Sequence, residues 1–161
     1  MPDTLFNLDL PPAIARQVLA FLQHARTASL ATIADDATPH AANVQFASDA
    51  ELNFYWVSSP ASVHSRHIDA RPATAMTIYG HDDRALNIHG LQMHGRAAVV
   101  ASEVDRDHAW NAFVDKFADL ANNPRFREMI GAQQFYCFRP TWLRWIDNRR
   151  GFGFKVESQV I

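Results

Sequence analysis

The strongest constraint in this sequence is a series of period-2 segments, each closed by a short turn signal. Residues 28–34 alternate and stop at Asp35-Asp36-Ala37-Thr38-Pro39. Residues 40–47 follow, with Ala42, Val44 and Phe46 opposite Ala41, Asn43 and Gln45. Ser48-Asp49-Ala50-Glu51 then turns the chain into an aromatic run, residues 52–58. Alternation places successive side chains on opposite faces, so each run reads as a strand with one face buried. Strands joined by tight turns pair antiparallel, because a parallel partner needs a crossover of a dozen residues or more. Residues 73–79 and 85–100 repeat the pattern around Gly80-His81-Asp82-Asp83, and Gly90 and Gly95 inside the second of these mark bulges or a barrel corner. A last strand spans residues 134–147.

Helices cover this sheet. Pro11 and Pro12 precede an amphipathic helix over 12–25, with Ile14, Val18, Phe21, Leu22 and Ala25 on one face. Ser59-Pro60 opens a second over 61–70, with Ser59 as N-cap and Pro60 at the first helical position. Ser102 and Asp105 resemble a capping box for a third, whose stripe is Trp110, Phe113, Val114, Phe117 and Leu120. Asn122-Asn123-Pro124 breaks it, and a short helical turn follows over 125–130. The fold class is therefore mainly β with helices (α+β), about six antiparallel strands curling into a small barrel because closure removes exposed edges. Residues 1–161 read as a single domain with a C-terminal tail over 148–161.

Composition excludes several functions. A net charge of −2 gives no basic field for nucleic acid or an anionic membrane surface. No apolar run approaches the roughly 18–20 residues of a membrane helix, and Met1-Pro2-Asp3 lacks the order of a signal peptide. The single cysteine, Cys137, offers no internal disulfide and sits among apolar neighbours as a core residue. The expected compartment is the cytoplasm.

The junction after the aromatic strand carries the chemistry. A helix that begins at Pro60 leaves the amides of Ala61, Ser62 and Val63 unpaired, and these amides with the helix dipole attract an anion. The Ser62 hydroxyl and the cations available from His64 and Arg66 fall in the first two turns, which suits a phosphate. The same residues also fit a capped surface helix. Asn43 and Gln45 share a strand face and suit the edge of a polar heterocycle, while Tyr55 and Trp56 offer aromatic surface to a planar ring. Equally, Trp56 fits the barrel core, with Asn43 and Gln45 turned to water.

Several segments in order resemble the pyridoxamine 5′-phosphate oxidase-like superfamily of FMN-binding split barrels. They are Ser29-Leu30-Ala31-Thr32-Ile33, Thr38-Pro39-His40-Ala41-Ala42-Asn43-Val44, Phe54-Tyr55-Trp56-Val57-Ser58, Ser62-Val63-His64 and Gly90-Leu91-Gln92-Met93-His94-Gly95. Within it, Ala42-Asn43, the Gly90–Gly95 segment and Asp147-Asn148 with Gly151-Phe152-Gly153 are most similar to the YhbP-type bacterial proteins. The resemblance implies an antiparallel six-stranded split β-barrel of the FMN-binding type, with FMN as cofactor. It sets Asn43, Val44 and Gln45 along the flavin, Trp56, Val57 and Ser58 beside the isoalloxazine or its pyrimidine edge, and Ser62 and His64 on the phosphate, with Arg66 or an arginine from the partner subunit as the candidate substitute for missing cations. Val63 stands where the oxidases have arginine, and the oxidases' strand Arg and Lys have no counterpart near Ala42 or Ala47. The resemblance also implies a homodimer with the site at the interface, where Arg149, Arg150, Phe152 and Phe154 are candidates to reach across. The same four residues also fit a solvated basic turn.

The histidine pairs His64/His67 and His89/His94 invite a metal or haem, but no third ligand accompanies either pair, and His89 and His94 point to opposite strand faces. No metal is therefore expected. Neither Cys137 nor any serine has a defined base partner, so hydrolysis has no support. Three functions stand: an FMN-dependent oxidoreductase of unknown substrate with no side chain nominated as acid or base, a non-catalytic carrier or sensor dimer that binds flavin or another planar ligand, with or without FMN, or a dimeric interaction protein whose cleft is empty.

Overall fold

The computed structural model describes residues 8–82, 84 and 86–160. In chain order these form α1 (Pro12–His24), β1 (Thr27–Ile33), β2 (Pro39–Gln45), β3 (Ala47–Ser48), β4 (Phe54–Ser58), α2 (Val63–Ala70), β5 (Ala73–Tyr79) and β6 (His89–Val99). Three helices follow, α3 (Glu103–Lys116), α4 (Ala118–Ala121) and α5 (Pro124–Gly131), then β7 (Gln134–Asp147), a 3-10 turn (Asn148–Arg150) and β8 (Lys155–Gln159).

Every strand pair is antiparallel, in the order β2-β1-β5-β6-β7-β4-β3, with β8 added to β7 off that path. The two ends of the path, β2 and β3, are separated in sequence by Phe46 alone, which is fully buried. One residue can join opposite ends of a sheet only if the sheet curls round until they meet. The curl stops short of closure because β7 divides its pairing. Its first half, Gln134 to Phe138, pairs with β4, and Trp142 to Ile146 pairs with β8. The result is an antiparallel half-barrel with helices over its openings.

Against the expected six strands, the described residues form seven along the sheet path and an eighth, β8, paired to β7 off it. β3 forms inside the stretch read as strand end and turn, and β8 forms within the expected tail; pairing to a neighbour makes strands of segments too short or too polar to show a period of their own. The glycines do what the sequence implied. The register of β6 against β7 shifts between His94 and Gly95, and a Cβ on Gly95 would lie 2.1 Å from the Arg139 carbonyl oxygen. At Gly90, φ is +155° and a Cβ would meet the Ile78 carbonyl oxygen at 2.2 Å.

The interior holds Leu30, Phe54, Trp56, Met76, Tyr136, Phe138 and Trp145, and α1 caps one opening with Ile14, Val18 and Leu22. Trp56 is fully buried and stacks on Tyr136, 5.6 Å between centroids. The ring expected beside a flavin is thus a core ring, because the residue count along β4 turns Trp56 inward. A second cluster fills the outer face of β4 and β7, where Tyr55, Phe135 and Cys137 meet Phe113 and Phe117 of the helical segment. Burial pushes the Cys137 thiol up to about 11, so it is a core residue and no nucleophile. Lys116 ties α3 to α1: its Nζ donates to the Leu22 carbonyl at 2.9 Å and lies 3.9 Å from the Phe46 ring centroid, and burial lowers its pKa to about 8. Among the described residues no helix is long and apolar enough to cross a membrane.

Candidate functional site

Four residues separate the end of β4 from the start of α2, and their hydroxyls decide where the helix begins. Ser59 is spent on a local turn: its carbonyl accepts from Ser62 N–H at 3.0 Å and its Oγ from Ala61 N–H at 3.2 Å. Ser62 therefore takes the N-cap, with an extended backbone and its Oγ accepting from Ser65 N–H at 3.3 Å. The helix starts at Val63, later than the expected 61, and Ser59 is not its cap. The first-turn amides of Val63 and His64, rather than those of Ala61 to Val63, are the ones without an acceptor among the described residues.

A compact polar cluster sits at this point. His64 Nε2 lies 2.7 Å from Ser58 Oγ and 3.2 Å from Ser62 Oγ, and the two hydroxyls are 3.3 Å apart. Ser62 also donates to Oγ of the buried Ser65 at 2.7 Å. Burial holds the His64 imidazole below its usual 6.5, and the neighbouring His40 and His67 add to the shift. His67 is itself fixed, with Nδ1 3.0 Å from the Thr32 hydroxyl and its ring edge-on to His40 at 5.5 Å. The surroundings thus disfavour the cationic form of the group read as a phosphate cation, and the imidazole serves here as a hydrogen-bonding partner of two hydroxyls.

Six of the nine expected site residues, Asn43, Val44, Gln45, Val57, Ser58 and His64, line one cavity of about 370 Å³. Ser62 borders it through the hydrogen bonds to Ser58 and His64. Arg66 is turned back onto the Ala61 carbonyl, and the Trp56 side chain belongs to the core. The opposite wall was not foreseen: Phe113 of α3 with Phe126, Met129, Ile130 and Gln133 from α5 and the residues after it. The last four are spaced i, i+3, i+4, i+7, a helical stripe that was legible in the sequence. Asn43 Oδ1 accepts from Ser29 Oγ at 2.8 Å, which leaves the Asn43 amide nitrogen to donate.

The other candidates have partners of their own. Arg149 pairs with the buried carboxylate of Asp147 at 2.7 Å, and Arg150 lies over the Phe154 ring at 4.6 Å; Phe152 is 89% exposed. His94 stacks on Trp142 outside the half-barrel, whereas His89 packs against Phe21 and Trp145, so the two do face opposite ways. Among the described residues no three His, Cys, Asp or Glu side chains converge as a metal site.

A strand-turn-helix junction with a capped, hydroxyl-rich helix start on a split antiparallel sheet narrows the relatives to be considered. The family model for pyridoxamine 5′-phosphate oxidase matches residues 14–147. The chain belongs to the pyridoxamine 5′-phosphate oxidase family. No curated protein matches it. Among solved structures, the conserved hypothetical protein Rv2991 from Mycobacterium tuberculosis superposes with a TM-score of 0.72 at 16% identity, covering 90% of this chain and 89% of that one. A heme binding protein from Mycobacterium smegmatis gives 0.71 at 18% identity, over 90% of this chain and 56% of that one, so this chain spans little more than half its length. HutZ, the heme storage protein from Vibrio cholerae, gives 0.65 at 14%, over 78% and 88%. At these identities the likeness is one of fold.

The donor set suits the phosphate end of FMN. Two hydroxyls, one imidazole and two first-turn amides converge where a dianion gains from the helix dipole. The set is poor in charge, since among the described residues no Arg or Lys lines the cavity and Val63 is a half-exposed valine.

Proposed function

We propose that this member of the pyridoxamine 5′-phosphate oxidase family binds FMN, with its phosphate on Ser58, Ser62, His64 and the first turn of α2, and acts as an oxidoreductase of unknown substrate. The observation that carries the reading is the convergence of Ser58, Ser62 and His64 beside Asn43 and Gln45 in one cavity. FMN would supply the hydride and electron transfer. The chain's part is to bind and orient it: the hydroxyls and His64 exchange their mutual hydrogen bonds for phosphate oxygens, Asn43 and Gln45 present amides to a heterocycle edge, and the Phe113, Phe126 and Met129 wall excludes water. Within the family, the motifs favour the YhbP-type branch.

The test is a visible spectrum of purified protein after FMN is added and the excess removed. Retained flavin near one per chain supports the reading, and a colourless protein that releases added FMN overturns it.

The proposal includes a homodimer. The register sets Ala31 between Ala41 and Ala75 on the outer sheet face, giving a flat surface of small side chains on the same strand face as Asn43 and Gln45. A partner seated there would adjoin the cavity. Ala31→Arg is expected to convert the dimer to monomer in light scattering and to weaken FMN retention; an unchanged mass overturns this interface.

A second reading is a non-catalytic binder of a planar ligand other than flavin. It is favoured by the two neighbours named for heme and by the scarcity of phosphate cations.

A further inference from the structure

The chain has two lysines, Lys116 and Lys155, among its 15 lysine and arginine residues, and the two stand in opposite surroundings. Lys155 opens β8 and is exposed. Lys116 is the last residue of α3 and is half-buried. Its Nζ donates to the Leu22 carbonyl at 2.9 Å and lies 3.9 Å from the Phe46 ring centroid. Among the described residues no carboxylate pairs with it.

Burial brings this amine down to about 8, and the Arg26 guanidinium adds to the effect. At pH 8 about half of such an amine is neutral, against fewer than roughly one in a hundred at the ordinary lysine value. Desolvation beside another cation is how proteins turn a lysine into a nucleophile. The Leu22 carbonyl and the Phe46 ring take two of the four directions about Nζ, and the bond to Cε takes a third. The fourth has no partner among the described residues.

Lys116 also lines a cavity of about 520 Å³, together with Gln23 of α1, Ser48 of β3, Asp49, and His108, Asn111 and Asp115 of α3. The volume lies within the roughly 300–1,000 Å³ of small-molecule sites. This cavity and the candidate flavin cavity have no lining residue in common.

The lining decides which electrophile fits. Asp49 accepts from Asn53 Nδ2 at 2.8 Å and from the Tyr55 hydroxyl at 2.9 Å, which holds its carboxylate in the wall. Asp115 adds a second carboxylate. A phosphorylated or carboxylated compound meets like charge there. Gln23, Ser48 and Asn111 supply both donors and acceptors, as hydroxyl groups require. An uncharged carbonyl compound that carries hydroxyls matches both features. We propose that Lys116 is a covalent capture site, forming a reversible imine with a small uncharged hydroxyaldehyde held in this cavity. The Nζ lone pair forms a bond to the aldehyde carbon, and the carbonyl oxygen receives a proton from Nζ. The hydroxyl so formed leaves as water with the remaining Nζ hydrogen, and the C–N bond becomes double. No electrons are gained or lost, so no oxidant or reductant takes part. His108, in the same wall, supplies an imidazole for the proton transfers. The capture site is separate from the flavin reading and does not depend on it.

The experiment is incubation of the full chain at pH 8 with glyceraldehyde and cyanoborohydride, which reduces an imine to a stable secondary amine. Peptide mass spectrometry then assigns the adduct among Lys116, Lys155 and the α-amino group. Lys116 should be labelled at least about tenfold faster than Lys155, because far more of it is neutral. Its rate should saturate with glyceraldehyde concentration, as binding before reaction requires. Glyoxylate, an anionic aldehyde, should label it at least about fivefold more slowly, and Asp115→Asn should narrow that gap. Lys116→Arg keeps the cation and should lose the adduct. Equal labelling of Lys116 and Lys155 overturns the site. A Lys116 rate that stays proportional to glyceraldehyde overturns the cavity as the place of binding. Labelling by glyoxylate as fast as by glyceraldehyde overturns the uncharged class of ligand.

Discussion

Trp56→Ala is expected to destabilise the protein by about 3–5 kcal/mol, the usual cost of emptying a large aromatic site that cannot collapse. The side chain is fully buried and stacked on Tyr136, and it is among the largest in the interior. Against a total stability of roughly 5–15 kcal/mol for a domain, this is a fifth or more of the margin. The measurement is chemical denaturation, read as a fall in midpoint without a change in slope. Trp56→Phe separates the core role from a ligand role. It keeps most of the apolar volume and removes an indole N–H that has no acceptor among the described residues. Its expected result is a modest loss of stability with FMN affinity unchanged. A tenfold loss of affinity in a stable Trp56→Phe protein would mean that the ring touches the ligand after all.

FMN affinity is expected to fall as pH rises from about 6 to 8, and to do so through His64. In the free protein burial keeps this imidazole below 6.5, with His40 and His67 adding to the effect. A bound phosphate dianion stabilises the imidazolium, so the group titrates higher in the complex than without ligand. Between those two values binding takes up a proton, and affinity declines as protons become scarce. Below about pH 6 the phosphate loses its second charge and the gain levels off. His64→Gln should abolish the slope. His64→Lys places a permanent cation on the site and should raise affinity at pH 8 roughly five- to tenfold, the difference between a neutral and a charge-assisted hydrogen bond. Equal slopes in the unaltered protein and His64→Gln would remove His64 from the phosphate site. The same depressed imidazole affects folding in the opposite sense: the unfolded chain protonates first, so stability is lost as pH falls through 6.5, and the titration belongs above the onset of acid unfolding.

The alternation of residues 28–58, the turn clusters between strands and the apolar stripe from Ile14 to Ala25 determined by themselves that this chain is an antiparallel sheet capped by helices. Gly95 announced a bulge and there is one. Asn43, Val44, Gln45, Val57, Ser58 and His64 could be nominated together only through the family resemblance, and the six line one cavity; periodicity alone set Asn43 and Gln45 on a shared strand face. Other decisions needed the tertiary structure. Ser59 and Ser62 are equally good caps by residue type, and the local turn that occupies Ser59 gave the helix to Ser62. Trp56 has a ring that suits a ligand or a core, and the inward phase of β4 decided for the core. His64 is a titratable imidazole by residue type, and burial shifts it further toward the neutral form. The α5 wall and the seat of Lys116 between Leu22 and Phe46 join residues far apart in the chain or on separate elements. Periodicity encodes which way a side chain faces along its own element. It carries no information about what another element brings opposite, and that encounter sets burial, protonation and the shape of a cavity.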